Sequence, residues 1–357
     1  MSARHSGMSW LPAAFIDGSC CPDGDPPRVL LLGNGHGFRL ALMDWGATWL
    51  SCQVPVSQMS REVVLGCQRL EDYLSQRAFL GATIGRYANR IGGARFVSGG
   101  RQVNLQPNEG LNQLHGGPEG FSSRRWDIVE VSRSHAVMHL ESPDGDQGFP
   151  GNLDVTVCFR VSGASAVSIE YEARVDAPCP VNLTNHAYFN LDGAVTDVRR
   201  HRLEINARHF VPVASDLIPL GSLAPVAGTS FDFTRAKPIG QDFLADEQQR
   251  IAGGYDHAFL LDPACRTLKR AAATLVSADG RLAMDVFTTK PAMQFYSGNR
   301  LNGVANRDGL TYAACQGLAL EPEFLPDSPN QAWPQPDCWL NPGERYRHKT
   351  VMVFRLS

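Results

Sequence analysis

The stretch VNLTNHAYFNL, residues 181–191, decides how the chain is read. With a period of two, Val181, Leu183, Asn185, Ala187, Phe189 and Leu191 share one face, and Asn182, Thr184, His186, Tyr188 and Asn190 share the other. Successive side chains of a strand point to opposite faces, so this alternation predicts a strand with one mostly apolar face. A solvent face would carry Lys, Glu and Arg. This polar face carries amides, hydroxyls, a phenol and an imidazole, groups that answer a ligand rich in hydroxyls because they donate and accept in kind.

Working outward, the same alternation recurs. LDVTVCFRV at residues 153–161 and AVSIEYEARV at 166–175 read as strands, and HKTVMVFRL at 348–356 closes the chain as another. VSGGRQVNL at 97–105 reads as a hairpin turning at Ser98-Gly99-Gly100-Arg101. SPDGDQGFPG at 142–151 is turn chemistry joining two strands. Helical patterns are confined to CQRLEDYLSQ at 67–76 and DFLADEQQRI at 242–251. No repeat, low-complexity tract or compositional break marks a linker. The expectation is an all-β chain: one large antiparallel β-sandwich over residues 1–357 with few short helices, whose first 25 residues have no assigned role.

Composition agrees. Hydrophobic residues make up 43% of the 357 and charged residues 19%, enough to bury a sizeable core. The 34 Gly and 23 Pro supply turns in the excess that many short strands need. The net charge of −3 and the absence of an extended basic stripe argue against nucleic acid and acidic membrane partners. Nine scattered Cys, with no C-x-x-C, suit free thiols in a reducing compartment, so a cytoplasmic location is expected. The adjacent Cys20-Cys21 pair could bind a metal or oxidise, and the sequence assigns it no redox role. The N-terminus shows no signal-peptide h-region, and no apolar run reaches the roughly 18 residues of a membrane span. NLT at Asn182 fits the glycosylation acceptor pattern, which has no use in that compartment.

Other stretches bring polar groups into apolar surroundings. GRYANRIGGARF carries Asn89 and Arg90 before a Gly-Gly turn, and NQLHGGPEGF carries His115 before Gly116-Gly117, where backbone can approach a ligand closely. GYDHAFLL sets Asp256 beside His257. AMQFYSGN sets Gln294 and Tyr296 opposite Phe295, and GLALEPEFLPDSPNQ sets Glu321 inside an apolar strand-like run. Taken singly, each of these suits a structural hydrogen-bonder as well as a ligand contact.

Together, GRYANRI, LHGG, NLTNHAYFNL, GYDHAFLL, QFYSGN and LALEPEFLPDSPNQ resemble the motifs of the aldose 1-epimerases, the galactose mutarotases, in their bacterial form. The resemblance runs in order from LMDWGATWLS, near residue 42, to WPQPDCWLNPGE, near residue 340. It implies a β-sandwich with the sugar in a cleft on one sheet, and interconversion of the α and β anomers of free aldohexoses such as galactose and glucose. It implies Glu321 as general base, His186 as general acid and His115 as a second catalytic or sugar-contacting histidine. Asn89, Arg90, Asp256 and Gln294 are implied as sugar contacts. Two departures stand out: Cys179, where many relatives carry Thr, and Pro322 directly after the base.

Anomer exchange breaks the bond between C1 and the ring oxygen. A base takes the C1 hydroxyl proton while an acid protonates the ring oxygen; the aldehyde turns about C1–C2 and the ring recloses. No electron moves, so no cofactor and no metal is expected, and neither G-x-x-x-x-G-K-[ST] nor G-x-G-x-x-G after a clear strand occurs. The Gly-rich GNGHGF at 33–38 is followed by no helix pattern and reads as a turn. Base and acid are expected on opposite sides of the sugar, with the histidine near its ordinary pKa of about 6.5 and kept protonated by nearby carboxylates. The only partner expected is a monosaccharide, and a monomer or homodimer is the expected assembly. Three rivals are weighed. One is a non-catalytic sugar-binding or regulatory module, which would lack the base or acid. The second is a glycoside hydrolase using Asp256 or Glu323 as a second carboxylate. The third is a metal site from His115, His186 and Asp256, whose spacing matches no compact ligand motif.

Overall fold

Residues 18–193 and 196–357 are described in the computed structural model of the chain. Residues 1–17 lie outside them, and with them most of the N-terminal segment of unassigned role. Residues 18–25 are tied to the body: Arg125 pairs with Asp23 at 2.5 Å and with buried Asp44 at 2.6 Å. Cys21 is buried and Cys20 exposed, and all nine cysteines are free thiols.

The strands expected from alternation form where the alternation is cleanest. Leu153–Ser162 turns Leu153, Val155, Val157, Phe159 and Val161 inward and leaves Asp154, Arg160 and Ser162 exposed. It pairs in register with Ala166–Val175, and that strand pairs with the terminal strand Tyr346–Leu356. These three lie at the centre of a nine-stranded sheet. Its spatial order is Asp127–Val131, His135–Ser142, Leu153–Ser162, Ala166–Val175, Tyr346–Leu356, Leu282–Thr288, Ala273–Val276, Arg202–Ile205 and Lys237–Pro238. A six-stranded sheet runs Tyr188–Phe189, Leu318–Glu323, Ala292–Tyr296, Asp256–Leu261, Ala207–Phe210 and Ala224–Pro225. A four-stranded meander, Val29–Gly33, Arg39–Met43, Thr48–Val56 and Met59–Glu62, forms a separate sheet that packs Leu40, Trp49 and Val54 into the same core. Its first turn is GNGHGF, as expected. All these ladders are antiparallel.

The two large sheets share one core. Val155, Val157, Phe159, Ile169, Met284, Val286 and Met352 from the first meet Phe189, Phe259, Met293, Phe295, Leu318 and Leu320 from the second. Each such side chain contributes about 1.5–3 kcal/mol on burial. Because the strand period is two, the other face of the six-stranded sheet carries Asp256, Gln294, Tyr296 and Glu321 away from that core. The fold is thus an all-β sandwich with a polar outer face on its smaller sheet.

Three expectations need correction. The 181–191 stretch is not one strand. Only Thr184–Asn185 and Tyr188–Phe189 are strand pieces within it; the first pairs with Thr83–Ile84 and the second with Ala319 and Leu318. Both faces of the stretch are buried, because its amides bond inside the protein. Asn182 donates to the Ala88 carbonyl and accepts from Lys290 Nζ and the Phe324 amide, while Asn185 donates to the Gly81 carbonyl. Both helices are shorter than their patterns. The first is Leu70–Ser75, since Arg69 at its start supplies no side-chain cap. The second is Glu247–Ala252, because Leu244 sits at φ +59° and breaks the pattern upstream.

Candidate active site

All seven residues singled out from the sequence line one cleft of about 730 Å³. Glu321 and Gln294 face each other across adjacent strands, and Asp256 enters from the third. His186 follows Thr184–Asn185; its amide donates to the Ala82 carbonyl and its own carbonyl accepts from the Gly81 amide. The short ladder pairing Tyr188 with Ala319 fixes this segment beside the Glu321 strand.

His115 leaves the two-residue strand Gln113–Leu114 at φ +52°, and Asn89 sits at φ +66°. The two hold each other: the His115 amide donates to the Asn89 carbonyl, and the Asn89 amide donates to His115 Nδ1 at 3.2 Å. Nδ1 therefore carries no proton in this arrangement, and a neutral His115 carries its proton on Nε2. The Gly116-Gly117 pair is explained differently from the expectation. Gly116 at φ +87° lies so close to the Gly85 carbonyl that an added Cβ would sit 1.9 Å from its oxygen. Its close approach is to the protein's own backbone, and the approach aims His115.

The catalytic candidates are nearly closed to solvent, with Glu321 2%, His186 5% and His115 8% exposed. His186 Nε2 stands 3.6 Å from Glu321 Oε1. The rings of His115 and His186 meet edge to face at 5.3 Å, and Phe79 packs its ring 4.8 Å from His115 and 6.0 Å from His186. His186 Nδ1 and Glu321 Oε2 are buried and meet no hydrogen-bond partner among the described residues. Such atoms are costly unless a ligand meets them. The base and acid candidates thus stand side by side, and not on opposite sides of a sugar.

Burial governs the charges. It pushes His186 down to about 4, against the expectation of a histidine kept protonated. It also drives His115 well below the usual histidine range, helped by His186 and Arg90. Glu321 is held well above the usual carboxylate range by burial, then by Glu323 and Asp256, with Arg90 opposing. Asp256 is raised by burial, opposed by Arg90 and by the 2.7 Å hydrogen bond it accepts from Gln294 Nε2. Gln294 Oε1 meets no partner among the described residues. Arg90 forms a bidentate pair with Glu109, Nε to Oε2 at 2.6 Å and Nη2 to Oε1 at 2.9 Å. Asn89 Nδ2 donates to Glu323 Oε1 at 2.8 Å, and its Oδ1 accepts from the Arg90 amide.

Sequence reasoning missed Phe79 and Glu109. Nothing local marks them, because both reach the cleft from loops. The metal trio named from sequence also changes membership. The ligand atoms of His115, His186 and Glu321 lie within 4.8 Å of one another, with Glu321 in the place assigned to Asp256. His257, beside Asp256, turns away: its Nδ1 accepts from the Asp256 amide, and its ring packs against Phe231 at 4.7 Å.

A cleft whose floor holds one carboxyl and two imidazoles in contact, ringed by amides and a guanidinium, is equipped to move protons on a hydroxyl-rich ligand. The aldose 1-epimerase family model matches residues 28–353 of the chain. The chain is 56% identical over 335 residues to an aldose 1-epimerase of Escherichia coli strain K12, covering 93% of this chain and 96% of that one. It is 39% identical over 320 residues to a galactose mutarotase of Mus musculus, covering 88% and 91%. Among solved structures, a galactose 1-epimerase from Lactobacillus acidophilus aligns with a TM-score of 0.82 at 29% identity, covering 94% of this chain and 96% of that one.

Proposed function

The chain belongs to the aldose 1-epimerase family and is an isomerase that interconverts α and β anomers, and from that premise we propose that Glu321 and His186 carry its proton transfers. The free aldose, with galactose and glucose foremost, sits with its C1 edge over the pair. The C1 hydroxyl oxygen and the ring oxygen are both bonded to C1, so two adjacent groups reach both.

Glu321, ionised, takes the C1 hydroxyl proton while the protonated His186 gives its proton to the ring oxygen; the C1–ring-oxygen bond breaks and an aldehyde forms. The pair is then a neutral acid and a neutral imidazole. After rotation about C1–C2, Glu321 returns its proton to the carbonyl oxygen and His186 takes one from the ring hydroxyl as the ring recloses. The pair holds one proton throughout, and only its location alternates. The observation that carries this is the 3.6 Å approach of His186 Nε2 to Glu321 Oε1 at a nearly buried place in the cleft. Burial favours the neutral arrangement, so the charged pair that opens the ring is the minor form of the resting site. His115, locked by Asn89 with its proton on Nε2, donates to the sugar. Arg90, Asp256, Gln294 and Asn89 order its ring hydroxyls.

No helix among the described residues is long and apolar enough to cross a membrane. Nine free thiols support a cytoplasmic setting. Polarimetry on freshly dissolved α-galactose tests the reading. The wild type speeds the approach to equilibrium rotation and Glu321→Gln does not; near-normal turnover by Glu321→Gln removes it from the base role. No new reducing end appears from glycosides, which separates this activity from a hydrolase.

A further inference from the structure

The proton-transfer reading accounts for Glu321 but leaves a second carboxyl unused. Glu323 lies two residues along the same strand, so both side chains leave the same face. It is fully buried and is not among the residues lining the cleft, so it does not touch the sugar. Its Oε1 accepts from Asn89 Nδ2 at 2.8 Å, and its Oε2 meets no partner among the described residues.

The charged and titratable groups around it come from every neighbouring element. Glu321 is on its own strand, Asp256 on another strand of the sheet, and Arg90 follows Asn89. On the other side is Lys290, 1% exposed, whose Nζ donates to Asn182 Oδ1 at 3.0 Å and Tyr346 Oη at 2.6 Å and lies 4.1 Å over the Phe324 ring. His348 packs against Tyr346 and Phe324. Two buried carboxyls this close do not ionise independently: the charge on one holds a proton on its neighbour.

We infer that Glu323 is a positioning residue of the reaction, which fixes Asn89 and, as a second carboxyl beside Glu321, retains the proton that Glu321 and His186 share. This rests on the proton-transfer roles proposed above. As pH rises, the pair loses activity when its last proton leaves, since no acid remains. An ionised Glu323 opposes that loss. At low pH Glu323 is itself protonated and exerts no such pull.

Glu323→Gln keeps an acceptor for Asn89 and removes the charge. The alkaline limb of its kcat profile moves to lower pH by about one unit, while the acid limb stays and KM for galactose changes less than twofold. Glu323→Ala also frees Asn89 and loses more than tenfold in kcat. A role in packing alone moves neither limb, so a Glu323→Gln profile that superimposes on the wild type overturns the inference. Should Glu323→Gln not fold, infrared difference titration of the wild type and Glu321→Gln decides. In the wild type the two protonated-carboxyl bands then leave in two separate steps and Glu321→Gln keeps only the earlier one, and a single step in the wild type overturns the inference. Glu321→Gln also separates the two claims. If it keeps turnover, the proton-transfer roles fail and this inference with them; if it is inactive and Glu323→Gln has the wild-type profile, this inference alone fails.

Discussion

The imidazole of His186 stands 3.6 Å from the carboxyl of Glu321, and neither side chain is more than 6% exposed. Two short stretches of chain create that approach. Tyr188 pairs with Ala319 and Phe189 with Leu318, so the segment carrying His186 runs beside the strand carrying Glu321. Leu318 and Leu320 point into the core while Glu321 leaves the other face. The strand that supplies the base is thus anchored by its apolar neighbours.

Glu321→Gln keeps size and hydrogen-bonding reach and removes basicity. General acid–base groups typically contribute on the order of 10²–10⁴ in rate. The expected outcome is a kcat loss in that range with galactose binding largely kept, measured by polarimetry and by calorimetric titration. His186→Asn loses a similar amount; full activity there moves the acid role to His115.

The rate follows a bell-shaped pH profile, because the pair needs one proton and neither two nor none. The acid limb reports the second proton arriving. Burial draws His186 down to about 4, so that limb falls below the ordinary histidine range of about 6.5. Measuring kcat for α-galactose from pH 3 to 10 checks this, and an acid limb that stays at about 6.5 contradicts the argument from burial.

What the sequence made legible follows from how local each signal is. Leu153–Ser162, Ala166–Val175 and the terminal strand alternate strictly because one face meets the core and the other meets solvent, and a period of two survives in the letters. The 181–191 stretch alternates for another reason. It is buried on both faces, and its polar side chains serve distant partners such as Lys290 and the Phe324 amide, 108 and 142 residues away. Local periodicity cannot distinguish a long strand from short pieces recruited by different partners. All seven site residues were named because each stands in a recognisable motif. Phe79 and Glu109 were not, since their position depends on loops folding over the sheet. The electrostatics were hidden for the same reason: the sequence shows carboxylates near histidines but not the burial that reverses their effect.

Gly116→Ala tests the link between backbone and site. The added Cβ would lie 1.9 Å from the Gly85 oxygen, at a φ of +87° that L side chains rarely adopt. Neither backbone segment can yield without moving His115. The substitution costs at least about 2 kcal/mol of stability and reduces kcat at temperatures where the protein is still folded. Urea denaturation and polarimetry on one preparation check both, and a wild-type midpoint contradicts the argument.

Glu323 makes stability depend on pH with a definite sign. Burial raises its carboxyl to about 8 in the folded protein, with Asp256 adding to the rise and the Asn89 hydrogen bond, Lys290 and Arg90 opposing it, against about 4.3 in an unfolded chain. Between those values the unfolded chain has released the proton and the folded protein has kept it. The unfolded state therefore binds fewer protons, and this group's contribution falls as pH rises from about 4.3 to about 8. Glu323→Gln lacks that loss. Its stability relative to the wild type therefore increases from pH 5 to pH 8, by on the order of 1–3 kcal/mol. Denaturant unfolding of both proteins at the two pH values measures it, and a difference independent of pH removes Glu323 as a buried titrating group.

His115, His186 and Glu321 bring three ligand-type atoms within 4.8 Å, a geometry that serves a divalent metal as well as a proton relay. The burial that keeps both imidazoles neutral suits a metal too, so their charge state does not separate the two. The reaction does. In the relay, Glu321 must gain and lose a proton in each turnover, and a metal bound to its oxygen would hold it ionised. The expected result is an unchanged rate after exhaustive dialysis against EDTA, and inhibition by added Zn²⁺ that competes with galactose. Loss of activity on dialysis, restored by a divalent metal, replaces the proton relay with metal-assisted opening of the ring.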